Sequence, residues 1–427
     1  MKILYLTHRF PPEHFRGTEV YTLELAAEML RRGHQALVVT LREMKDSGKL
    51  SVVNDVYRGV PVARIRKQLR PENFEDYFFD PAMDGLFKGM ISDFRPDLVH
   101  AGYFLGGLSL GMSESAPAGK LIVTVTDYSA LCCRGQLLDQ ELAPCPGPRS
   151  GVRCLRCLFN RDWLFSNPRL DSWAREHWPV WLGFKHPAEL AMVRRRNQAA
   201  KKVLETSRTV IFAHPHTRAV FAGNGISIAG AKLLDFGIDV EPFKVHRKTA
   251  SGRLRIGFIG QILPHKGLDL LVDALAGMKN QQLFELLIYG SLSDPAEKKY
   301  FDSLGLSRIQ NQKWLGTFDL LQMNQILEGI DLLAMPSRWA ENCPLMPKYA
   351  LLTGTRLLIS DAPGILLKSS LEGIDIFGIN RVDQLRQKLQ DLLASGAWRQ
   401  RPAGAKNLVM SMTEHADSLE LIYREAG

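Results

Sequence analysis

Apolar residues recur along most of this chain in two alternating rhythms, short continuous runs and longer stretches in which they return every three or four positions. The first cycle is plain. Residues 3–7 read as a buried strand, residues 19–32 carry Val20, Leu23, Ala26, Ala27 and Leu30 on one helical face, and residues 36–40 read as the next strand. Gly33 stops the helix between them. Further strands are expected at 62–65, 98–100, 121–125 and 210–213. A second series opens at 255–260 and continues with strands at 284–289, 332–335 and 356–360, and helices over 268–278, 345–352 and 382–394. Such alternation is the pattern of a parallel sheet covered by helices on both faces. Two series in 427 residues, too many for one ordinary core, predict an α/β fold of two Rossmann-like domains. We place them at 1–245 and 246–410, with the polar stretch 245–252 as linker and a last helix over 414–425. Residues 131–188, rich in Cys, Pro, Arg and Trp, break the rhythm and read as an insertion in the first domain.

Composition narrows the class. A charged share of 23% with an apolar share of 45% is ordinary for a globular enzyme. No apolar run reaches the roughly 20 residues needed to cross a bilayer, and the opening apolar run is too short for a signal peptide, so a cytoplasmic location is expected. The net charge of +9 predicts attraction to an anionic partner, nucleotide phosphates or an acidic membrane face, the plain alternative being surface charge with no partner. Zinc-finger spacing, paired RNA-binding aromatics and a basic heptad helix are all missing from the sequence, so nucleic acid is not expected.

In open parallel sheets ligands bind beyond the carboxyl ends of strands, where glycines and helix N-termini supply backbone N–H groups. Two loops fit that rule: Arg16, Gly17, Thr18 and Glu19 after the first strand, and residues 260–267, with Gly260, Gln261, Lys266 and Gly267, after the first strand of the second series. Taken alone, each reads more simply as a tight turn. The stronger signal is residues 335–345, running from a strand into a helix, with Glu341 just before the helix start. A sugar needs acceptors for its hydroxyls while a diphosphate needs donors, and this turn offers both. The plain alternative is that Glu341 complements the helix dipole.

The order of these motifs along nearly the whole chain resembles glycosyltransferase family 4, the retaining transferases of GT-B fold. Carrying the resemblance are Gly17-Thr18-Glu19, Arg95 to His100, Thr124 to Tyr128, Phe236-Gly237-Ile238-Asp239, Lys266-Gly267, Trp314-Leu315-Gly316, and Pro336-Ser337 through Glu341. The resemblance implies two parallel sheets facing across a cleft, with residues 411–427 returning to the N-terminal domain. It implies a nucleotide diphosphate sugar as donor, a glycan or lipid-linked acceptor in surface polysaccharide synthesis, and no metal in catalysis. Lys266, Glu341 and Asp127 take the catalytic places. Glu341 would hold the sugar hydroxyls, Lys266 the diphosphate, and the amides around Asn342, Pro344 and Leu345 its oxygens. Leu315 and Gly316 would lie near the base, Gly17, Gly260, Gln261 and Tyr349 complete the donor set, and Glu19, His100 and Thr126 stand on the acceptor side.

Four positions depart from the family pattern. Tyr349 replaces a ribose-binding Glu, Gln261 an Arg, Thr126 a His, and Arg16 a Gly. A phenol cannot accept two ribose hydroxyls as a carboxylate does, and Gln brings no charge to a diphosphate. The alternatives are an active enzyme with an altered donor grip and a degenerate relative that serves as a ligand-binding or assembly protein.

Within the insertion, Cys133, or Cys132 in its place, with Cys145, Cys154 and Cys157 suggests a structural zinc; free thiols are the alternative. Downstream, Trp163, Trp173, Trp178 and Trp181 alternate with Arg161, Arg169, Arg175, His177 and Lys185. That mixture suits the headgroup layer of an anionic membrane, which implies peripheral attachment at its inner face, or else tryptophans covering their own core.

Overall fold

Continuous apolar runs become central strands of two sheets. The structure is a computed structural model and describes all residues except 45–47, 70–73, 149, 160–186, 228–229, 246–250, 366–370 and 427. The tryptophan- and arginine-rich segment and most of the expected linker therefore lie outside the described residues. The chain groups into two units, Met1–Asp235 with Thr413–Gly427, and Phe236–Met412. The division falls ten residues before the expected boundary at 245, because Ile238 and Val240 are buried in the second unit's core. Ile238 also exchanges backbone hydrogen bonds with Met410 (3.2 Å) and Met412 (2.8 Å).

Among the described residues the first unit holds an eight-stranded sheet, in the order β3-β4-β2-β1-β5-β6-β7-β8. Its strands are β1 (Lys2–Thr7), β2 (Gln35–Glu43), β3 (Ser51–Tyr57), β4 (Val60–Lys67), β5 (Leu98–Ala101), β6 (Leu121–Val125), β7 (Thr209–Phe212) and β8 (Lys232–Leu233). All pairings are parallel except β3 with β4. The helices that matter here are α1 (Gly17–Arg31), α2 (Pro81–Phe94), α3 (Val152–Phe159) and α4 (Pro187–Thr206). In α2, Pro81 opens the first turn and the Asp80 carboxylate accepts from the Ala82 and Met83 amides, both at 3.1 Å.

The second unit carries β9 (Leu254–Ile259), β10 (Phe284–Tyr289), β11 (Gln312–Gly316), β12 (Leu332–Met335), β13 (Arg356–Ser360) and β14 (Ile374–Phe377), in the order β11-β10-β9-β12-β13-β14, all parallel. This is the doubly wound order in which the sheet grows in opposite directions from its first strand. Helices α5 (Leu268–Ala276), α6 (Leu345–Thr353) and α7 (Val382–Ser395) cover it. Leu268, Leu271 and Leu275 are fully buried at helical spacing, each burial contributing about 1.5–3 kcal/mol.

The last helix, α8 (Met412–Ala426), groups with the first unit. Tyr21 Oη donates to His415 Nε2 at 2.8 Å, since His415 Nδ1 gives its proton to the Asp235 carbonyl, also at 2.8 Å. Tyr423 Oη meets His100 Nδ1 at 2.6 Å, and Arg32 reaches Asp417 at 2.6 Å.

Candidate functional site

In the second unit the strand order turns between β9 and β12, so the loops leaving Ile259 and Met335 emerge side by side. Gly267 lets them meet. Its φ is 74°, and a Cβ there would lie 1.9 Å from the Pro336 carbonyl oxygen, so only glycine fits. The loops are then clamped. The Arg338 amide donates to the His265 carbonyl at 2.9 Å, and its guanidinium forks onto Asp269 of α5, both bonds at 2.5 Å. Burial opposes ionisation of Asp269, but its bonds from Arg338 and from the Tyr300 hydroxyl win and hold the carboxyl below its ordinary range.

Between the clamped loops stand the two groups on which the sequence reading turns. Lys266 Nζ donates to Glu341 Oε1 at 2.8 Å, and Ser337 Oγ donates to the same oxygen at 2.6 Å. Glu341 is 3% exposed, whereas the lysine side chain keeps 21% of its surface in solvent. The ammonium also lies 4.9 Å from the centroid of Trp339, whose ring stands edge-on to His265. Behind Glu341, Gly364 at φ 93° leaves room for the Glu341 carbonyl, which a Cβ would approach to 1.5 Å. Pro344 then starts α6 with no side-chain cap, leaving the Leu345 and Met346 amides to a partner from outside the helix. A cation, a fixed carboxylate and an uncapped helix start thus belong to adjoining loops of one unit. Asn342 is buried beside Glu341 in sequence, and Gly260 and Gln261 are partly exposed where β9 ends. Leu315 is 43% exposed and Gly316 closes β11. Tyr349 does not join this group: it is 2% exposed and stacks on Phe243 inside the core.

The first unit has its own reversal of strand order, between β1 and β5. His8 follows β1, Tyr103 follows β5 and Asp127 follows β6, and the His8 and Tyr103 rings pack with centroids 4.0 Å apart. Glu19 in α1 is fully buried, 3.9 Å from His8 Nε2. Burial pushes the Glu19 carboxyl up against the pull of Arg16, and it drives the His8 imidazole well below its usual range. Asp127 accepts from the Ser129 amide at 2.7 Å, yet desolvation raises it to about 6, opposed by Ser129 and Arg196. Thr126 Oγ1 is bound to the Gly102 carbonyl at 2.9 Å, and Gly17 is exposed at the start of α1. His100, expected on the acceptor side, is 1% exposed with both ring nitrogens engaged, by Tyr423 and by Thr124 (2.7 Å), and burial holds it down at about 3. It fastens α8 to the sheet.

Sequence reasoning passed over His8, Tyr103, Ser337 and Trp339 as site residues. The position of His8 and Tyr103 just past strand ends was the available signal. Among the described residues no three His, Cys, Asp or Glu side chains are arranged, as they stand, to hold a metal, and no helix is long and apolar enough to cross a membrane.

The profile described as "Glycosyl transferase 4-like domain" matches residues 16–227, and that described as "Glycosyl transferases group 1" matches residues 240–404. Among curated proteins the chain is similar to granule-bound starch synthase 2 of Solanum tuberosum, 32% identical over 124 residues, which are 29% of this chain and 15% of that protein. Soluble starch synthase 2-3 of Oryza sativa subsp. indica is 32% identical over 124 residues, 29% of this chain and 14% of that protein. The chain thus matches only a small part of the length of these relatives. Among solved structures, sucrose-phosphate synthase from Thermosynechococcus elongatus superposes with a TM-score of 0.70 at 16% identity, covering 99% of this chain and 98% of that one. Anabaena HepE in complex with UDP and glucose gives 0.66 at 14% identity, covering 99% of both chains. WaaG, a glycosyltransferase involved in lipopolysaccharide biosynthesis, gives 0.61 at 13% identity, covering 97% of this chain and 94% of that one. These likenesses establish the fold, two parallel-sheet α/β domains of GT-B type.

Proposed function

Because the chain belongs to the group 1 glycosyl transferases, with a glycosyl transferase 4-like domain ahead of that module, we propose that it moves a hexose, with retention, from a nucleotide diphosphate sugar to a glycan or lipid-linked acceptor of a surface polysaccharide. The observation that carries this reading is the Lys266–Glu341 contact beside the uncapped start of α6. In it, the amides of Leu345 and Met346 take the diphosphate, aided by the helix dipole. Lys266 supplies the charge that stabilises the departing nucleotide, so that no metal is called for. Glu341, held by Ser337, accepts the sugar hydroxyls and fixes the anomeric carbon in place. Retention then follows from attack on the face the nucleotide leaves, with the departing phosphate taking the acceptor's proton. On the acceptor side Asp127 and Thr126 offer polar contacts, and the buried Glu19 acts through His8.

The neighbours support a nucleotide donor: HepE is solved with UDP-glucose, and starch synthase IV of Arabidopsis thaliana with ADP and acarbose. A panel of UDP- and ADP-sugars tests the reading by calorimetry and by release of free nucleotide. Binding of at least one, with transfer lost in Glu341→Ala, is expected; silence across the panel defeats the proposal. The second reading, a binding protein without turnover, draws on Tyr349, whose ring is committed to packing where the family has a carboxylate. It predicts nucleotide binding with no hydrolysis or transfer. Attachment to an anionic membrane through the tryptophan- and arginine-rich segment completes the proposal, and sedimentation with anionic vesicles at low salt checks it.

A further inference from the structure

Five of the six cysteines fall within residues 132–157, in the first unit. The chain there has little regular structure. After β6 it turns on Tyr128, whose carbonyl accepts from the Leu131 and Cys132 amides. A short bridge pairs Leu138 with Pro144, the Asp139 carboxylate ties down the Glu141 and Ala143 amides at 2.9 Å each, and Cys145 N donates to the Leu137 carbonyl at 2.7 Å. Cys154 and Cys157 then sit one turn apart on the same face of α3. The apolar cluster beneath comprises four buried residues, Val152, Leu155, Leu190 and Val193. So small a core is a weak restraint on an irregular segment of this length, and natural folds in that position add a cross-link or a metal.

The thiols converge. All five line one small cavity of about 20 Å³, room for about one water-sized sphere, and none is in a disulfide. Burial and then its neighbours, Cys133, Cys132, Cys145 and Cys157, push the Cys154 thiol up. Cys145 and Cys157 are raised by burial and also feel Cys132, whereas Cys133 is raised by burial with Cys132 as its thiol neighbour and is drawn down by Arg196. Cys132 and Cys133 both line the cavity with the other three. Arg134 lines the same cavity, and among the described residues its Nη1 is buried with no hydrogen-bond acceptor. An unmatched cation beside four thiols calls for negative charge in the cavity.

We propose that Cys145, Cys154 and Cys157, with Cys132 or Cys133 as the fourth ligand, bind one zinc ion and that this ion fixes the fold of the insertion. Four thiols release their protons to solvent and bind as thiolates, giving a site of net charge −2 that Arg134 and Arg153 balance. Each Sγ swings on a single χ1 rotor, so binding draws the thiols from their metal-free positions onto one point in the cavity.

The test uses the full chain, purified under reducing conditions without chelator from zinc-supplemented cells. Elemental analysis should give about one zinc per chain, and cobalt exchange should give the charge-transfer bands of four thiolates. The double variant Cys132→Ser/Cys133→Ser should lose zinc, or hold cobalt with three thiolates, while still binding whichever nucleotide the wild type binds, which separates metal loss from global misfolding. Wild-type protein without zinc that takes up no cobalt overturns the proposal. So does a cysteine disulfide detected by mass in the native chain, or a Cys132→Ser/Cys133→Ser protein with unchanged zinc and four-thiolate cobalt bands.

Discussion

Neutralising Lys266 should weaken nucleotide binding, whereas neutralising its partner Glu341 should not. The two side chains are 2.8 Å apart, Glu341 is nearly sealed from solvent, and Lys266 keeps 21% of its surface exposed. If Lys266 serves the diphosphate, Lys266→Met removes a charge-assisted hydrogen bond contributing about 1.5–3 kcal/mol. That corresponds to about 10–150-fold weaker binding of UDP or ADP. Before ligand arrives the ammonium is already held by Glu341, so a nucleotide must draw it away. For a pair with one partly exposed member that competition is about 1 kcal/mol. Glu341→Gln keeps the shape and can still accept from Ser337, yet it releases the lysine. Nucleoside diphosphate without sugar should bind as well as before or about 5-fold tighter. Transfer, which needs the carboxylate on the sugar, should fall about 100-fold or more. Calorimetry at one fixed salt concentration gives the dissociation constants, and single-turnover assays give the rates. The reasoning is refuted if, at unchanged melting temperature, both variants weaken nucleoside diphosphate binding alike, or if Lys266→Met leaves it untouched.

Three further outcomes follow from the geometry. Gly267→Ala should lower stability by about 2 kcal/mol or more, through its φ of 74° and the clash with the Pro336 carbonyl, and should weaken nucleotide binding in parallel; a melting curve matching the wild type would count against the loop contact. Asp127, raised to about 6 from an ordinary 3.8, holds a proton in the folded protein that the unfolded chain has lost between pH 4 and 6, so its contribution to stability is present below about 4 and disappears as pH rises to about 6. Asp127→Asn should remove that slope, leaving the variant relatively more stable above pH 6, as melting temperatures taken across pH would show. Tyr423→Phe deletes the 2.6 Å contact to His100 and should cost about 1–2 kcal/mol, with faster hydrogen exchange concentrated in α8; exchange unchanged there would mean that packing alone holds the helix.

Buried strands were the legible part of the fold. Residues 121–125, 284–289, 332–335 and 356–360 were placed from their apolar runs alone, and the same residues form β6, β10, β12 and β13. By contrast β3 was passed over, since Asn54, Asp55 and Val56 all face solvent at a sheet edge and leave no alternation to read. The helix α2 was passed over as well, although Asp80 followed by Pro81 marks its start. The site was legible where its motif is local in sequence: Glu341 was singled out within residues 335–345, although Ser337, four residues earlier and bound to it, was not. It was illegible where pairing is long-range. Nothing near Asp269 announces Arg338, and nothing near His8 announces Tyr103, because each contact exists only once the strand order is known. Tyr349 shows the converse limit, since a motif position identifies a place on a helix while burial decides whether its side chain meets a ligand.

The return of α8 to the first unit makes the second unit, residues 236–412, an interruption within the first. A ribosome therefore releases a finished second unit while the first still lacks the segment that supplies Tyr423 to His100 and His415 to Tyr21. The part made first is completed last, and a nascent chain stopped before residue 413 would expose the faces of Tyr21 and His100 to whatever chaperone waits nearby.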